Sequence, residues 1–493
     1  MTAPPSLAPL TAAPSTARPI EKVLVANRGE IAVRIVRACR DMGLPVVVAY
    51  STADRDSLAT RLADEAVCVG PGAAGRSYLN IPALVYAAAR TGADAVHPGY
   101  GFLAEDTYFA QVCADAGLTF IGPSAEVIAR MGDKIAARAA AAAADVPVLP
   151  GSPRPVSDLT DALGWAARIG YPVVLKAAAG GGGRGLRVVR SAADLPGALA
   201  DLRRAARTLF FDDRVYVERL ASAARHVEVQ ILADAHGRVL HLGDRDCSIQ
   251  RRHQKLVEES PSTALDPARR EEVCAAAVRF AASIGYVSAG TVEFLLDADG
   301  QFRFLEMNPR IQVEHPVTEL RSGVDLVQWM IRIAAGEPLD FGQADVALRG
   351  HVLECRINAE DPGRDWQGSF GRLEAFTPPG GCGVRVDTHA YPGYRLPPYY
   401  DSLLAKVIVS GESRDEALRR MERALAELEC RGVRTTREFH LELMRHPTFR
   451  AGRHTQDFLD RYLRPDGSLR AGPADAATPD AATPDAGTTS PAA

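Results

Sequence analysis

The sequence predicts an α/β and α+β protein built in several lobes, and three observations carry that expectation. Strand-like and helix-like periods alternate from Lys22 to about residue 133. Two strand–loop–strand segments follow, one around Lys176 and one around Asp299-Gly300. The 493 residues, 47% hydrophobic, can build two to four compact cores. In chain order, Met1–Pro19 is rich in Ala, Pro, Ser and Thr and carries no apolar run, which predicts a disordered tail. Lys22-Val-Leu-Val-Ala-Asn27 then reads as a buried strand, followed by a helix with Ile31, Ile35, Ala38, Cys39 and Met42 on one face. Pro45–Ser51, Ala95–Pro98 and Leu118–Gly122 continue the alternation and complete an α/β lobe.

That lobe resembles a dinucleotide fold, Rossmann-like but without its glycine fingerprint. Val173-Val-Leu-Lys176, a glycine run and Leu186-Arg-Val-Val189 come next, and Gly180, Gly182 and Gly185 satisfy G-x-G-x-x-G literally. A β-rich segment follows where the fingerprint requires a helix, and the Gly-Lys-Ser/Thr of a phosphate-binding loop is missing. What remains is a flexible hairpin whose backbone N–H groups, including those of Gly181, Gly182 and Gly183, can close over phosphates beside Lys176. Lysine is scarce: of 57 basic residues only Lys22, Lys134, Lys176, Lys255 and Lys406 are lysine. Where arginine is the default cation, a retained lysine points to a site wanting a compact charge. Val215–Leu220 and His226–Leu232 read as strands. Beyond them Arg251, Arg252, His253 and Lys255 form a cationic cluster without the aromatic interleaving that stacks bases, which favours an anion or nucleotide phosphate over nucleic acid.

Glu306, Asn308, Arg310, Gln312 and Glu314 alternate with Met307, Pro309, Ile311 and Val313, and an extended chain would set the polar row on one face. Carboxylates, carboxamides and a guanidinium are the groups needed to hold a metal, an anion and a proton acceptor together. Thr291–Asp297 and Gln301–Glu306 read as two strands joined by a two-residue Asp299-Gly300 turn, which places Glu293 opposite Glu306, ~5 Å apart. Like charges so close are relieved by a shared divalent cation, Mg²⁺ or Mn²⁺, with the Asn308 amide oxygen as a further ligand.

No stretch approaches the ~18 apolar residues of a membrane span. A net charge of −4 gives no general electrostatic case for nucleic acid. Eight scattered cysteines without a C-x-x-C pair or zinc spacing suit a reducing compartment, so a cytoplasmic location is expected.

Several longer motifs appear in one order: Ala26-Asn-Arg-Gly-Glu-Ile-Ala32, His97-Pro-Gly-Tyr-Gly-Phe-Leu103, Met131-Gly-Asp-Lys134, Arg251-Arg-His-Gln-Lys255, Glu306-Met-Asn-Pro-Arg-Ile-Gln-Val-Glu-His-Pro316 and Glu354-Cys-Arg-Ile-Asn-Ala-Glu-Asp361. Together they resemble the biotin carboxylase family of the ATP-grasp superfamily, from Lys22 to about Leu463. The resemblance implies a Rossmann-like pre-ATP-grasp lobe (20–133), a central ATP-grasp unit (134–335) with a mobile glycine-rich lid (about 148–220), and a C-terminal biotin carboxylase lobe (336–463). A low-complexity tail (464–493) follows. It assigns Lys134, Lys176, Glu218, Leu220, His226, Gln250, His253 and Leu295 to ATP. Glu293, Glu306 and Asn308 would hold Mg²⁺ or Mn²⁺, with two ions implied. Lys255, Arg310, Gln312, Val313 and Glu314 would surround bicarbonate, and Arg356 would face biotin.

The implied reaction is ATP- and bicarbonate-dependent carboxylation of biotin through carboxyphosphate, the first half-reaction of an acyl-CoA carboxylase, with Glu314 as the base. The chain has no Ala-Met-Lys-Met biotinylation sequence, so the resemblance implies a biotinylated carrier protein and a carboxyltransferase on separate chains, and a homodimer. The lid opens Lys176-Ala-Ala-Ala-Gly180 where many relatives have Ser-Gly before the glycine run, which puts ATP affinity and lid closure in question. Two alternatives share the nucleotide site: another ATP-grasp ligase joining a carboxylate to an amine, and a non-catalytic ATP-binding regulator.

Overall fold

The computed structural model describes residues 18–180 and 185–472. Five parallel strands, β1 (Val23–Val25), β2 (Val46–Ser51), β3 (Glu65–Gly70), β4 (Ala95–His97) and β5 (Thr119–Phe120), form a sheet in the order β3-β2-β1-β4-β5. β1 is apolar at every position because the sheet is covered on both faces. The helix Gly29–Asp41 sends Ile31, Ile35, Ala38 and Cys39 into one core, and Met42 ends it as the C-cap. β3, absent from the sequence reading, is an edge strand whose apolar run is only four residues long, Ala66 to Val69, with Val69 its one buried position.

A small unit follows. β6 (Val173–Ala177), β7 (Leu186–Val189) and β8 (Val215–Arg219) pair antiparallel in the order β7-β6-β8. The helices Leu159–Ile169 and Leu195–Phe210 cover them with a core of their own that includes Ala166, Leu175, Leu199, Leu202 and Val217. The hairpin expected around the glycine run is formed, with Lys176 opposite Leu186. Gly181, Gly182 and Gly183 lie outside the described residues. Gly180 has φ +95°, and a Cβ there would stand 2.4 Å from the Phe210 ring.

The largest element is an eight-stranded antiparallel sheet containing β9 (Arg225–Ala233), β10 (Val239–Arg251), β11 (Gln254–Ser260), β12 (Ser288–Leu296), β13 (Phe302–Asn308) and β14 (His351–Asn358). The strands Leu403–Gly411 and Val384–Thr388 complete the order β13-β12-β9-β10-β11-β14 at its far edge. The sheet crosses the boundary expected between 335 and 336: β11 pairs with β14, Val257 opposite Cys355, so the central and C-terminal lobes share one hydrogen-bonded layer. The packed chain also continues past 463. Leu463 bridges Leu469, and the Arg470 N–H donates to Tyr462 O at 2.8 Å, which ties residues 464–472 to the C-terminal lobe. Residues 1–17 and 473–493, where the two tails were expected, lie outside the described residues. Among the described residues no helix is long and apolar enough to cross a membrane.

Candidate active site

β9 is buried along its whole length, yet it keeps a period of two. Val227, Val229 and Ile231 enter the core against the helix Pro267–Ser283, which leaves His226, Glu228 and Gln230 on the opposite face. That second face is polar and buried, and side chains rather than water must satisfy it. In register across four strands stand Arg245, Glu228, Glu293 and Glu306, giving three carboxylates in a row with an arginine at one end. Arg245, fully buried, donates to Glu228 Oε1 at 2.7 Å, Gln230 Oε1 at 2.7 Å, Thr318 Oγ1 at 2.8 Å and Gln312 Oε1 at 2.7 Å.

The face forms the floor of a cavity of about 700 Å³ that reaches the three-stranded unit and the N-terminal lobe. Lys255 Nζ donates to Glu228, to Glu293 Oε1 at 2.9 Å and to Glu314 Oε1 at 2.6 Å. Burial alone would lower this ammonium, but the three carboxylates raise it well above the ordinary lysine value. His226 Nε2 lies 3.0 Å from Glu293 Oε2; burial works against its charged form, and Glu293 with Glu228 raises it to about 9. Glu293 also accepts from Asn308 Nδ2 and Gln312 Nε2, each at 2.8 Å. Lys134 reaches Glu306 Oε2 at 3.1 Å from the first turn of its helix, which Asp133 caps by accepting from Ile135 and Ala136 N–H. Side-chain cations therefore relieve the repulsion between Glu293 and Glu306, and the register alone does not demand an ion.

The register itself arises by a different route from the one expected. The loop after β12 has three residues, Ala298-Asp299-Gly300, with the Asp297 N–H bonded to Gln301 O at 3.0 Å. It pairs Leu296 with Phe302 and shifts the ladder by one residue. A bulge at Leu305 then shifts it back, so Glu293 faces Glu306 after all, and Leu305 is turned into the cavity lining. The polar row is not a continuous strand either: β13 ends at Asn308, before Pro309. Glu306, Asn308, Arg310, Gln312 and Glu314 nevertheless all line the cavity, while Met307 and Ile311 are buried in the core.

At the far wall, Arg356 Nε donates to Glu258 Oε1 at 2.6 Å and Arg356 Nη2 to Glu314 Oε2 at 2.9 Å. Burial pushes Glu258 up, and although Arg356 pulls the other way it settles at about 7. Arg310 Nη2 donates to Asn308 Oδ1 at 2.8 Å, and its Nε pairs with Glu105 Oε2 at 3.1 Å. Lys176 pairs with Glu218, which Arg138 Nε meets at 3.0 Å.

Of the expected site residues, Lys134, Lys176, His226, Gln250, His253, Lys255, Glu293, Glu306, Asn308, Arg310, Gln312, Val313, Glu314 and Arg356 line this one cavity. Glu218 stands just behind it. Leu220 follows the end of β8, and Leu295 pairs with His226 at a position farther along β12, so neither is among the lining. Of the cationic cluster, Arg251 and Arg252 turn instead to Asp365, with Arg251 over the Trp366 ring. The sequence reading missed Glu228 and Arg245, which the same period-two argument would have found on β9 and β10. It also assigned no role to Tyr100, although the motif His97–Leu103 contains it, and it missed Glu105 and Gln456, which reach the cavity from distant loops with no local signal.

Residues 133–341 match the model of the ATP binding domain of the carbamoyl-phosphate synthase L chain, which sets the class: a nucleotide-binding unit of that type around the charged floor. Residues 19–128 match the biotin carboxylase N-terminal domain, and residues 354–461 match the biotin carboxylase C-terminal domain. Biotin carboxylase 1 of Bacillus subtilis is 52% identical over 444 residues, covering 90% of this chain and 99% of that one. The crystal structure of a biotin carboxylase–β,γ-ATP complex from Campylobacter jejuni superposes with a TM-score of 0.89 at 45% identity, covering 91% and 100% of the two chains. The biotin carboxylase domain dimer of Hydrogenobacter thermophilus 2-oxoglutarate carboxylase, in complex with MgADP, ADP and bicarbonate, gives 0.87 at 46% identity over 90% and 97%. The chain belongs to the biotin carboxylase family.

Proposed function

We propose that this chain carboxylates biotin presented by a separate carrier protein, consuming ATP and bicarbonate by way of carboxyphosphate, as the first half-reaction of an acyl-CoA carboxylase. One observation supports this reading above others: a single carboxylate, Glu314, is bonded through one oxygen to Lys255 and through the other to Arg356. Lys255 and Arg310 fix the bicarbonate anion in line with the γ-phosphorus, with Gln312 and Val313 beside it, and Glu314 takes its proton as the bicarbonate oxygen attacks that phosphorus and displaces ADP, forming carboxyphosphate. Carboxyphosphate then splits to CO₂ and phosphate, and the phosphate accepts the ureido proton of biotin. Arg356 stabilises the enolate-like oxygen while N1′ attacks CO₂.

On this reading ATP lies between the floor and the three-stranded unit, against Lys134, Lys176, His226, Gln250 and His253. The donor set of Glu293, Glu306 and Asn308, hard oxygens on one wall of the cavity, fits Mg²⁺ or Mn²⁺, which would neutralise charge on the phosphoryl oxygens. The enzyme would work in the cytoplasm as a homodimer, with the carboxyltransferase on another chain. ADP release measured with Mg²⁺, bicarbonate and free biotin, each omitted in turn, tests the reading. Turnover should need all three, and amide synthesis without biotin, or ATP binding without turnover, would overturn it. Glu314→Gln should abolish bicarbonate-dependent turnover while ATP still binds; unchanged turnover would remove Glu314 as the base.

A further inference from the structure

Three of the five lysines line the cavity, and Lys22 pairs with Glu65 at the surface at 2.9 Å. Lys406 is left over. Its side chain is completely buried on the strand Leu403–Gly411, with Arg356 and Asp387 as its register partners on either side. Nζ donates to Val313 O at 2.8 Å, lies 3.1 Å from Glu30 Oε1 and stands 3.8 Å from Asp387 Oδ2. Glu30, on the first turn of the N-terminal lobe's first helix, in turn accepts from the hydroxyl of Tyr100, a cavity residue. Burial opposes the charge on Lys406, with Arg385 acting in the same direction, and Glu30, Glu354 and Asp387 outweigh both.

The acceptor is the informative part. Val313 and Glu314 lie between the end of β13 and the helix His315–Ser322, in a stretch outside the sheet ladders. A hydrogen bond on the Val313 carbonyl fixes the plane of the 313–314 peptide, and that plane aims the Cα of Glu314 and the side chain it carries. An interior ion pair is weak evidence for stability alone, since an apolar pair of the same volume often serves as well; what it does supply is a defined geometry. In a chain where arginine is the default cation, the compact ammonium also suits a single carbonyl oxygen better than a planar fork does.

We propose that Lys406 is a positioning residue for bicarbonate activation, clamping the Val313–Glu314 peptide to Glu30 of the N-terminal lobe so that the Glu314 carboxylate stays aimed between Lys255 and Arg356. This rests on the reading of Glu314 as the base. The double variant Glu30→Gln/Lys406→Met removes both charges together and leaves Tyr100 a hydrogen-bond partner. Displacing the base loosens bicarbonate activation: the bicarbonate KM should rise ~10-fold and kcat should fall ~10-fold or more, while the ATP KM stays within about twofold. Glu30→Gln alone keeps Lys406 and should give a smaller rise in the bicarbonate KM, about threefold, so the inference remains open to refutation even if the double variant does not fold. Unchanged bicarbonate kinetics in a folded variant, or an equal rise in both KM values, would overturn the role. A wild-type chain without bicarbonate-dependent ADP release would instead overturn the functional reading itself.

Discussion

The floor of the cavity and its three-stranded cover handle charge in opposite ways. On the floor, Lys255 faces three carboxylates, Arg245 is sealed among polar partners, and Glu293 receives three hydrogen bonds with His226 beside it. On the cover, Lys176 meets a single carboxylate, and Lys134, at the junction, meets Glu306 where both side chains are partly exposed. The cover has its own core and joins the rest through a few backbone contacts, such as Lys134 N–H to Ala178 O at 3.0 Å. The floor is thus preorganised at folding, before any substrate arrives, whereas the cover commits each cation to one carboxylate, which on the proposed reading a phosphate would replace.

Breaking the floor at its centre should have the largest effect. Lys255→Met would leave three buried carboxylates sharing one missing cation, and chemical denaturation should show a loss of ~3–5 kcal/mol along with loss of turnover. A loss below about 1 kcal/mol would mean that the floor is not locked by charge. Arg356→Ala should lower kcat by ~10²–10³-fold with the ATP KM unchanged, because on the proposed reading it removes a transition-state contact and leaves the nucleotide side intact; an equal effect on ATP binding would erase the distinction between the two walls.

The opposite face of the same sheet offers a pH test. Burial pushes the Glu259 carboxyl up, but His351 at 2.8 Å and Arg414 at 2.7 Å hold it near 2, against an ordinary 4.5. A carboxyl lowered on folding contributes stability that is present above its unfolded value and disappears as pH falls through the folded one. Glu259→Gln should therefore cost roughly 3 kcal/mol at neutral pH and almost nothing near pH 2, which flattens the acid limb of a denaturation series. A parallel shift at every pH would contradict this account. The smallest effect belongs to the cover side: Lys134→Ala should raise the ATP KM ~10-fold and change stability by less than about 1 kcal/mol, since its ion pair is partly exposed.

Much of this site was legible from local pattern. The polar row from Glu306 to Glu314 and three of the scarce lysines do converge on one cavity, because a buried face leaves no other place for such groups. The hairpin teaches a subtler lesson: a three-residue loop and the bulge at Leu305 each depart from the simple two-residue turn, and the two departures cancel to restore the Glu293–Glu306 pair. Burial of one face selects among registers, so a register can be inferred correctly from a turn that is drawn incorrectly. Glu228 was passed over although it lies between two residues of the same polar face. Tyr100 sat in a recognised motif without a role being read for it, and Gln456 gave no local signal at all.

By itself the sequence determined the alternation: which side chains of each strand turn to the core and which to the polar face, because a period of two is a local property of extended chain. Only the tertiary structure decided which charges meet. The Glu293–Glu306 pair belongs to one local hairpin, but Arg245 and Glu228 join it from strands that are distant in sequence, and Lys406 reaches a carbonyl 93 residues away. Cross-strand neighbours are set by long-range pairing and by the competition to satisfy every buried charge at once, and no local window of the chain contains that information.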